Sequence, residues 1–298
     1  MTSLALLEEI LSDPKITDIL IDGHRKVLVE KDGALIEITQ PFLNEKEVDL
    51  WAREIMSSNG SRLDIAKPIS EVTLETTLGL LRIHAVLSGE CSKRTQVSIR
   101  RHSVSSLTLE NLLSAGCISP IHLETLRQIL SFRENFVIIG GTGSGKTTLL
   151  KSMLSEVTNE RVITIEDALE LSLGGNSVSL VTRAANHEGV GEISLARLLR
   201  EALRMRPDRL VIGEARGEEL LLLLQAMNTG HTGSGFTLHA NSIEDVIPRM
   251  LAIFSGVGVS PALAKVLISS SISWVIELKR TKGNRVVTKI QRVTDLDL

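Results

Sequence analysis

Residues Gly140-Gly141-Thr142-Gly143-Ser144-Gly145-Lys146-Thr147 follow the apolar run Phe136-Val137-Ile138-Ile139 and lead straight into helical text, Thr148-Leu149-Leu150-Lys151. A pattern G-x-x-x-x-G-K-[ST] set between a strand and a helix is a phosphate-binding loop of the Walker A form. Its glycines let backbone amides turn inward on phosphate oxygens, and the helix start behind it favours negative charge. Lys146 then reaches the β and γ oxygens, the Thr147 hydroxyl ligates Mg2+, and Gly140 to Thr148 form the nucleotide cradle. Such a loop needs the edge of an α/β sheet. Buried-strand runs Val162-Ile163-Thr164-Ile165 and Leu210-Val211-Ile212 alternate with helical segments after Asn135, which reads as a mainly parallel sheet.

The other chemistry-bearing residues close the same kind of strand. Arg209-Leu210-Val211-Ile212-Gly213-Glu214 delivers Glu214 at a strand's carboxyl end, where open α/β sheets bind ligands, and this is a Walker B position. Ile163-Thr164-Ile165-Glu166-Asp167 also ends in acids; Glu166 orients or deprotonates the attacking water, or else caps a helix. His231 and His239 flank a glycine-rich turn and a short strand. They lack a zinc site's third ligand, so they read either as γ-phosphate sensors or as ordinary histidines.

The first third of the chain is different text. Runs Ile16 to Ile21, Lys26 to Glu30 and Ala34 to Ile38, separated by Asp22-Gly23 and Asp32-Gly33, read as a small antiparallel sheet. Asn44 caps a helix through about Ser58, and more β-like text ends at Gln96 to Arg100. The chain turns polar at Arg101 to Ser106, so two domains are expected, 1–104 and 105–298.

Composition narrows the partners. The net charge of −3 and 2% aromatic residues, with no Tyr, disfavour direct binding to nucleic acid. Two cysteines, Cys91 and Cys117, are too few for a disulfide framework and suit a reducing compartment. The N-terminus lacks the features of a signal peptide, and no apolar run approaches the roughly 18 residues of a membrane span. A cytoplasmic protein that reaches the membrane through partners is expected.

Taken together, these stretches resemble the secretion ATPase superfamily, the motors of type II and type IV secretion and of type IV pili. Ile165-Glu166-Asp167 resembles its Asp box, Leu203 to Gly217 its Walker B region, and Ala226 to Ser242 its His box. The wording is similar to the Cpa/Tad-type pilus-assembly ATPases, with type IV secretion motors next; the absent Cys-x-x-Cys insertion argues against the type II secretion and pilus-extension branch.

The resemblance implies an N-terminal α/β sensor-like (PAS-like) domain, a RecA-like P-loop ATPase domain, and a homo-hexamer with ATP held between domains. It also implies an inner-membrane platform protein of a pilus or secretion system as partner. Arginines from the N-terminal side approach the γ-phosphate in this family, and Arg82, Arg100 and Arg101 are the candidates; Arg183, Arg204 and Arg216 are expected to be structural or interface residues. The leading expectation is an ATPase using ATP and Mg2+, a hexameric motor that powers assembly, with retraction left open, of a Tad/type IV-like pilus or secretion machine at the inner membrane. Lys146 and Thr147 act on phosphate and metal, Glu166 as base, Glu214 on metal and water, and His239 as sensor. The alternatives are a type IV secretion motor for protein or DNA export, a DNA translocase, and a nucleotide-sensing scaffold with little turnover.

Overall fold

The Asp-Gly turns and β-rich runs of the first third become a sheet in the computed structural model, which describes residues 3–39, 41–76, 79–89, 91–102, 107–183, 185, 190–281 and 284–296, the side chains of 3–6, 75 and 102 aside. The chain divides into two units, Met1–Ser105 and Ser106–Leu298. The expected border between 104 and 105 falls in 103–106, outside the described residues.

In the first unit α1 (Ser3–Ile10) precedes β1 (Ile16–Asp22), β2 (Lys26–Lys31) and β3 (Ala34–Ile38). Then come α2 (Glu45–Ser58), β4 (Ile69–Thr76), β5 (Gly79–Val86) and β6 (Gln96–His102). The sheet order is β3-β2-β1-β6-β5-β4, antiparallel throughout. The Asn44 side chain accepts from the Glu47 N–H, which fixes the start of α2 as its sequence predicts. Val48, Trp51, Ala52, Ile55 and Met56 of α2 share one core with Ile19, Ile21, Leu81, Ile83, Val97 and Ile99. Strand alternation then puts Arg82 and Arg100 on the opposite face, directly across from each other.

The second unit runs α3 (Leu109–Ser114), α4 (Pro120–Ser131), β7 (Phe136–Ile139), α5 (Lys146–Leu154), β8 (Val162–Glu166) and β9 (Ser177–Val181). It continues α6 (Leu195–Ala202), β10 (Arg209–Ile212), α7 (Glu218–Asn228), β11 (Gly235–Leu238), α8 (Val246–Gly256) and α9 (Pro261–Ser271). It ends with β12 (Trp274–Thr281) and β13 (Asn284–Arg292). The order is β13-β12-β7-β11-β10-β8-β9, all parallel except β13, which pairs antiparallel with β12.

Every residue of β7, β8, β10 and β11 is buried, as covering both faces of a parallel sheet requires. One face packs Val137, Ile139, Ile163, Ile165, Leu210 and Ile212 under α6 to α9. The other packs Phe136, Ile138, Val162, Val211 and Ile276 against α3 to α5. Ile139 is level with Leu238, and Ile212 with Phe236 and Ile165. Gly140, His239, Gly213 and Glu166 therefore all emerge at the carboxyl edge of the sheet.

A buried guanidinium ties the opposite edge together. Arg209, only 2% exposed, makes a two-pronged ion pair with Glu160 at 2.7 and 2.9 Å and donates to the carbonyls of Leu130 and Gly233. Arg133 joins the same carboxylate and holds Glu160 to Asp208 and Thr232. Removing Arg209 leaves the half-buried Glu160 carboxylate to Arg133 alone and the Leu130 and Gly233 carbonyls without this donor. Arg209→Ala is expected to lower the unfolding free energy by about 3 kcal/mol or more. Urea unfolding monitored by circular dichroism checks this through a lower midpoint at unchanged slope.

Candidate active site

The loop after β7 has the shape that its glycines allow. Gly145, at φ 98°, starts α5 from the left-handed region, with no side chain to block the helix start. A Cβ on Gly140 would collide with the Leu278 carbonyl and come 2.6 Å from the Ser144 hydroxyl, so only glycine fits there. The Lys146 ammonium lies across the loop, donating to the carbonyls of Gly140 at 2.9 Å and Gly141 at 3.0 Å. Burial holds its pKa below the usual lysine value, Arg216 adds to that, and Glu214 opposes it. The Ser144 hydroxyl is buried with no hydrogen-bond partner among the described residues. A helix start at glycine, a lysine over the loop and an unsatisfied hydroxyl fit a phosphate chain.

Beside it stands a charge cluster built by β10 and β11. Glu214 takes His239 Nε2 at 3.2 Å on one oxygen and Arg216 Nη2 at 2.6 Å on the other. Burial pushes the Glu214 pKa up, but Arg216, His239 and Lys146 outweigh it and leave the carboxylate below its ordinary range. Burial and the Lys146 ammonium hold His239 below the usual histidine value, against the pull of Glu214. Arg216 also reaches Asp167 at 3.5 Å, so one guanidinium joins the acids that follow β10 and β8. Glu219 fixes the approach, its carboxylate accepting from the N–H groups of Arg216 and Gly217. The Thr237 hydroxyl donates to the Gly213 carbonyl at 2.6 Å.

Glu166 lies behind this cluster. It is 3% exposed, packed against Gly213, and its Oε1 accepts from the N–H groups of Glu170 at 3.1 Å and Leu171 at 2.9 Å. Thr164 donates to the other oxygen at 3.3 Å. The carboxyl thus holds the loop between β8 and β9, whose described residues form no helix for it to cap. Burial, partly offset by these bonds, raises its pKa to about 7.

The structure gathers Gly140 to Thr148, Glu214 and His239 at one sheet edge, but not the second histidine. His231 precedes β11, on the far side of that strand from His239, and its Nδ1 sits 3.2 Å from the Ala226 carbonyl at the end of α7. The three N-terminal arginines also part company. Arg82 pairs with Glu71 and Arg100 with Asp18 on the open face of the first sheet. Arg101 donates to the carbonyls of Leu11 and Asp13 and ties down the end of α1. Arg183 and Arg204 make local contacts to the carbonyls of Gly191 and Arg200, as a structural role requires. Arg216 joins the charge cluster itself, through Glu214 two residues before it and Asp167. No three His, Cys, Asp or Glu side chains converge to hold a metal among the described residues. Mg2+ on Thr147 and Glu214 would thus rely on phosphate oxygens and water for its remaining ligands.

The family description "Type II/IV secretion system protein" matches residues 20–292. The chain belongs to that family. A Mycobacterium tuberculosis (strain CDC 1551 / Oshkosh) protein, provisionally named for conjugal transfer, is 37% identical to this secretion-family chain over 96% of its length and 82% of the relative's. The VirB11 ATPase of the Brucella suis type IV secretion system, solved with sulphate, is 25% identical at a TM-score of 0.50, covering 97% of this chain and 96% of that one. The Legionella pneumophila ATPase DotB shares the fold at a TM-score of 0.68 and 22% identity, over 96% of this chain and 79% of its own. The two-part architecture is therefore that of the secretion ATPases, an N-terminal domain followed by a RecA-like domain.

The raised Glu166 pKa has a thermodynamic sign. The folded protein holds this proton from about pH 4.5 to about 7 while the unfolded chain releases it. Stability from this group is therefore lost as pH rises through that window. Glutamine mimics the protonated form, so Glu166→Gln should gain on the wild type by up to about 3 kcal/mol between pH 4.5 and 8. Urea midpoints at both ends check it; a pH-independent difference contradicts it.

Proposed function

We propose that this chain hydrolyses ATP to ADP and phosphate and works as a motor of a secretion or pilus machine. The observation that carries the reading is the meeting of Lys146 with the Glu214–His239–Arg216 cluster at the sheet edge where the Walker A loop opens. A cation and a pre-organised acid flanking one phosphate position supply charge stabilisation and a place for metal and water. When bound, Mg2+ would neutralise charge developing on the phosphate oxygens, held on the protein side by Thr147 and Glu214. Gly140 to Thr148 bind the phosphate chain, and His239, its pKa held down, is a neutral sensor of the γ-phosphate.

Glu166 is the proposed base. Its pKa of about 7 suits proton abstraction at neutral pH, provided the carboxyl swings away from the Glu170 and Leu171 amides. Of the N-terminal arginines, Arg82 and Arg100 share the open sheet face and are the ones proposed to serve a neighbouring subunit. Residues 1–104 would be the sensor-like domain and 105–298 the ATPase domain.

A hexamer with shared sites follows from that assignment, since a head-to-tail ring sets every interface beside a nucleotide. We place the motor at the cytoplasmic face of the inner membrane, gripping a platform protein. No helix among the described residues is long and apolar enough to cross a membrane. The relatives' names favour conjugal transfer and type IV secretion over a Tad-type pilus as the machine served.

ATPase rate measured against protein concentration, with mass determined on the same samples, tests this. Activity should rise with a ring-sized species, and Lys146→Ala and Glu214→Gln should each cost about a hundredfold or more. The wild-type rate should climb as pH rises through about 7, and Glu166→Gln should lose that limb along with most of its activity. Turnover that ignores concentration and survives these changes would favour the nucleotide-sensing scaffold.

A further inference from the structure

The β12–β13 hairpin brings two arginines to the Walker A loop that no motif contains. Arg280 and Arg285 are directly opposite each other across the hairpin, and both are exposed. Alternation puts them on the same face as Leu278 and Val287, themselves buried toward α5. That face covers the loop. Leu278 and Arg285 flank Gly145, where an added Cβ would lie 3.3 Å from the Arg285 Cδ and 3.8 Å from a Leu278 methyl. Arg285 Nε donates to the Gly143 carbonyl at 3.1 Å, and a Cβ on Gly143 would lie 3.9 Å from Arg280 Nη1.

Which part of a nucleotide these groups meet follows from the loop's polarity. In a loop of this form the amides face the phosphates, so a donor on the Gly143 carbonyl stands outside the phosphate nest, on the side left to ribose and base. A purine there needs a flat partner, and the aromatic side chains are spent elsewhere. Phe136, Phe236 and Phe254 are fully buried, and Phe42 and Trp51 pack on each other in the first unit. Phe132 and Trp274 belong to the opposite edge of the sheet, where Trp274 pairs in register with Phe136 and carries Arg292. A guanidinium is planar and stacks on aromatic faces.

We propose that Arg280 and Arg285 form a guanidinium platform for the nucleobase, completing in cis the site that Gly140 to Thr148 begin. The proposal rests on the nucleotide-binding reading above. Calorimetric titration with ATP, ADP and inorganic tripolyphosphate of the wild type, Arg280→Ala, Arg285→Ala and Arg285→Lys separates the two. Each variant should bind ATP and ADP about tenfold more weakly while keeping wild-type affinity for tripolyphosphate. Arg285→Lys, which retains charge and a donor for the Gly143 carbonyl but no plane, should behave like Arg285→Ala. Unchanged ATP affinity, equal loss for ATP and tripolyphosphate, or full rescue by lysine overturns the platform and leaves the nucleotide site standing. A wild type that binds none of the three overturns both.

Discussion

Four buried parallel strands run side by side, Ile139 of β7 level with Leu238 of β11 and Ile212 of β10 level with Ile165 of β8 and Phe236, and that register is the constraint on which the site depends. Parallel pairing points every carboxyl end the same way, so the residues after Ile139, Leu238, Ile212 and Ile165 meet without long loops to place them. Complete burial makes the alignment stiff, because a register slip would expose apolar faces or strand backbone groups. The Arg209–Glu160 pair holds the opposite edge, away from the chemistry. Loop shape is therefore set by strands, and Gly140 must be glycine because the Leu278 carbonyl of β12 presses on it.

Electrostatics then sorts the acids by environment. Glu214 and Glu166 follow adjacent strands, yet one pKa is held low and the other raised to about 7. Burial, deeper at Glu166, raises both, but Glu214 has Arg216, His239 and Lys146 to outweigh it, whereas Glu166 has backbone amides and Thr164 for company. Two carboxyls pushed apart in this way divide a permanent anion from a group that titrates near neutrality, the arrangement from which acid–base roles are assigned. His239, its pKa held below the usual histidine value by burial and by Lys146, stands on the other oxygen of Glu214.

Much of this was legible in the sequence where local rules govern. The Walker A spacing, the apolar strands and the Asn44 cap each rest on short-range chemistry, and α2, β7 and α5 follow them. Glu214 and His239 were legible as strand-end residues, because a parallel sheet turns sequence order into shared position. The remainder depended on side-chain choice between near-equal options. Glu166 could cap or catalyse, and only its bonds to Glu170 and Leu171 show how it spends its lone pairs here. Arg101 differs from Arg100 by one residue, which in a strand means the opposite face, and only the position of α1 reveals its acceptors. Arg280 and Arg285 were invisible because nothing in the chain order tells that the final hairpin lies against a loop more than a hundred residues earlier.

A crystal structure of the chain with Mg2+ and a non-hydrolysable ATP analogue tests the central claim most directly. The triphosphate should run along the amides of Gly140 to Thr147, its terminal phosphate within hydrogen-bond reach of Lys146 and facing the Glu214–His239 pair. A nucleotide bound elsewhere, or a terminal phosphate turned away from that pair, would contradict the account.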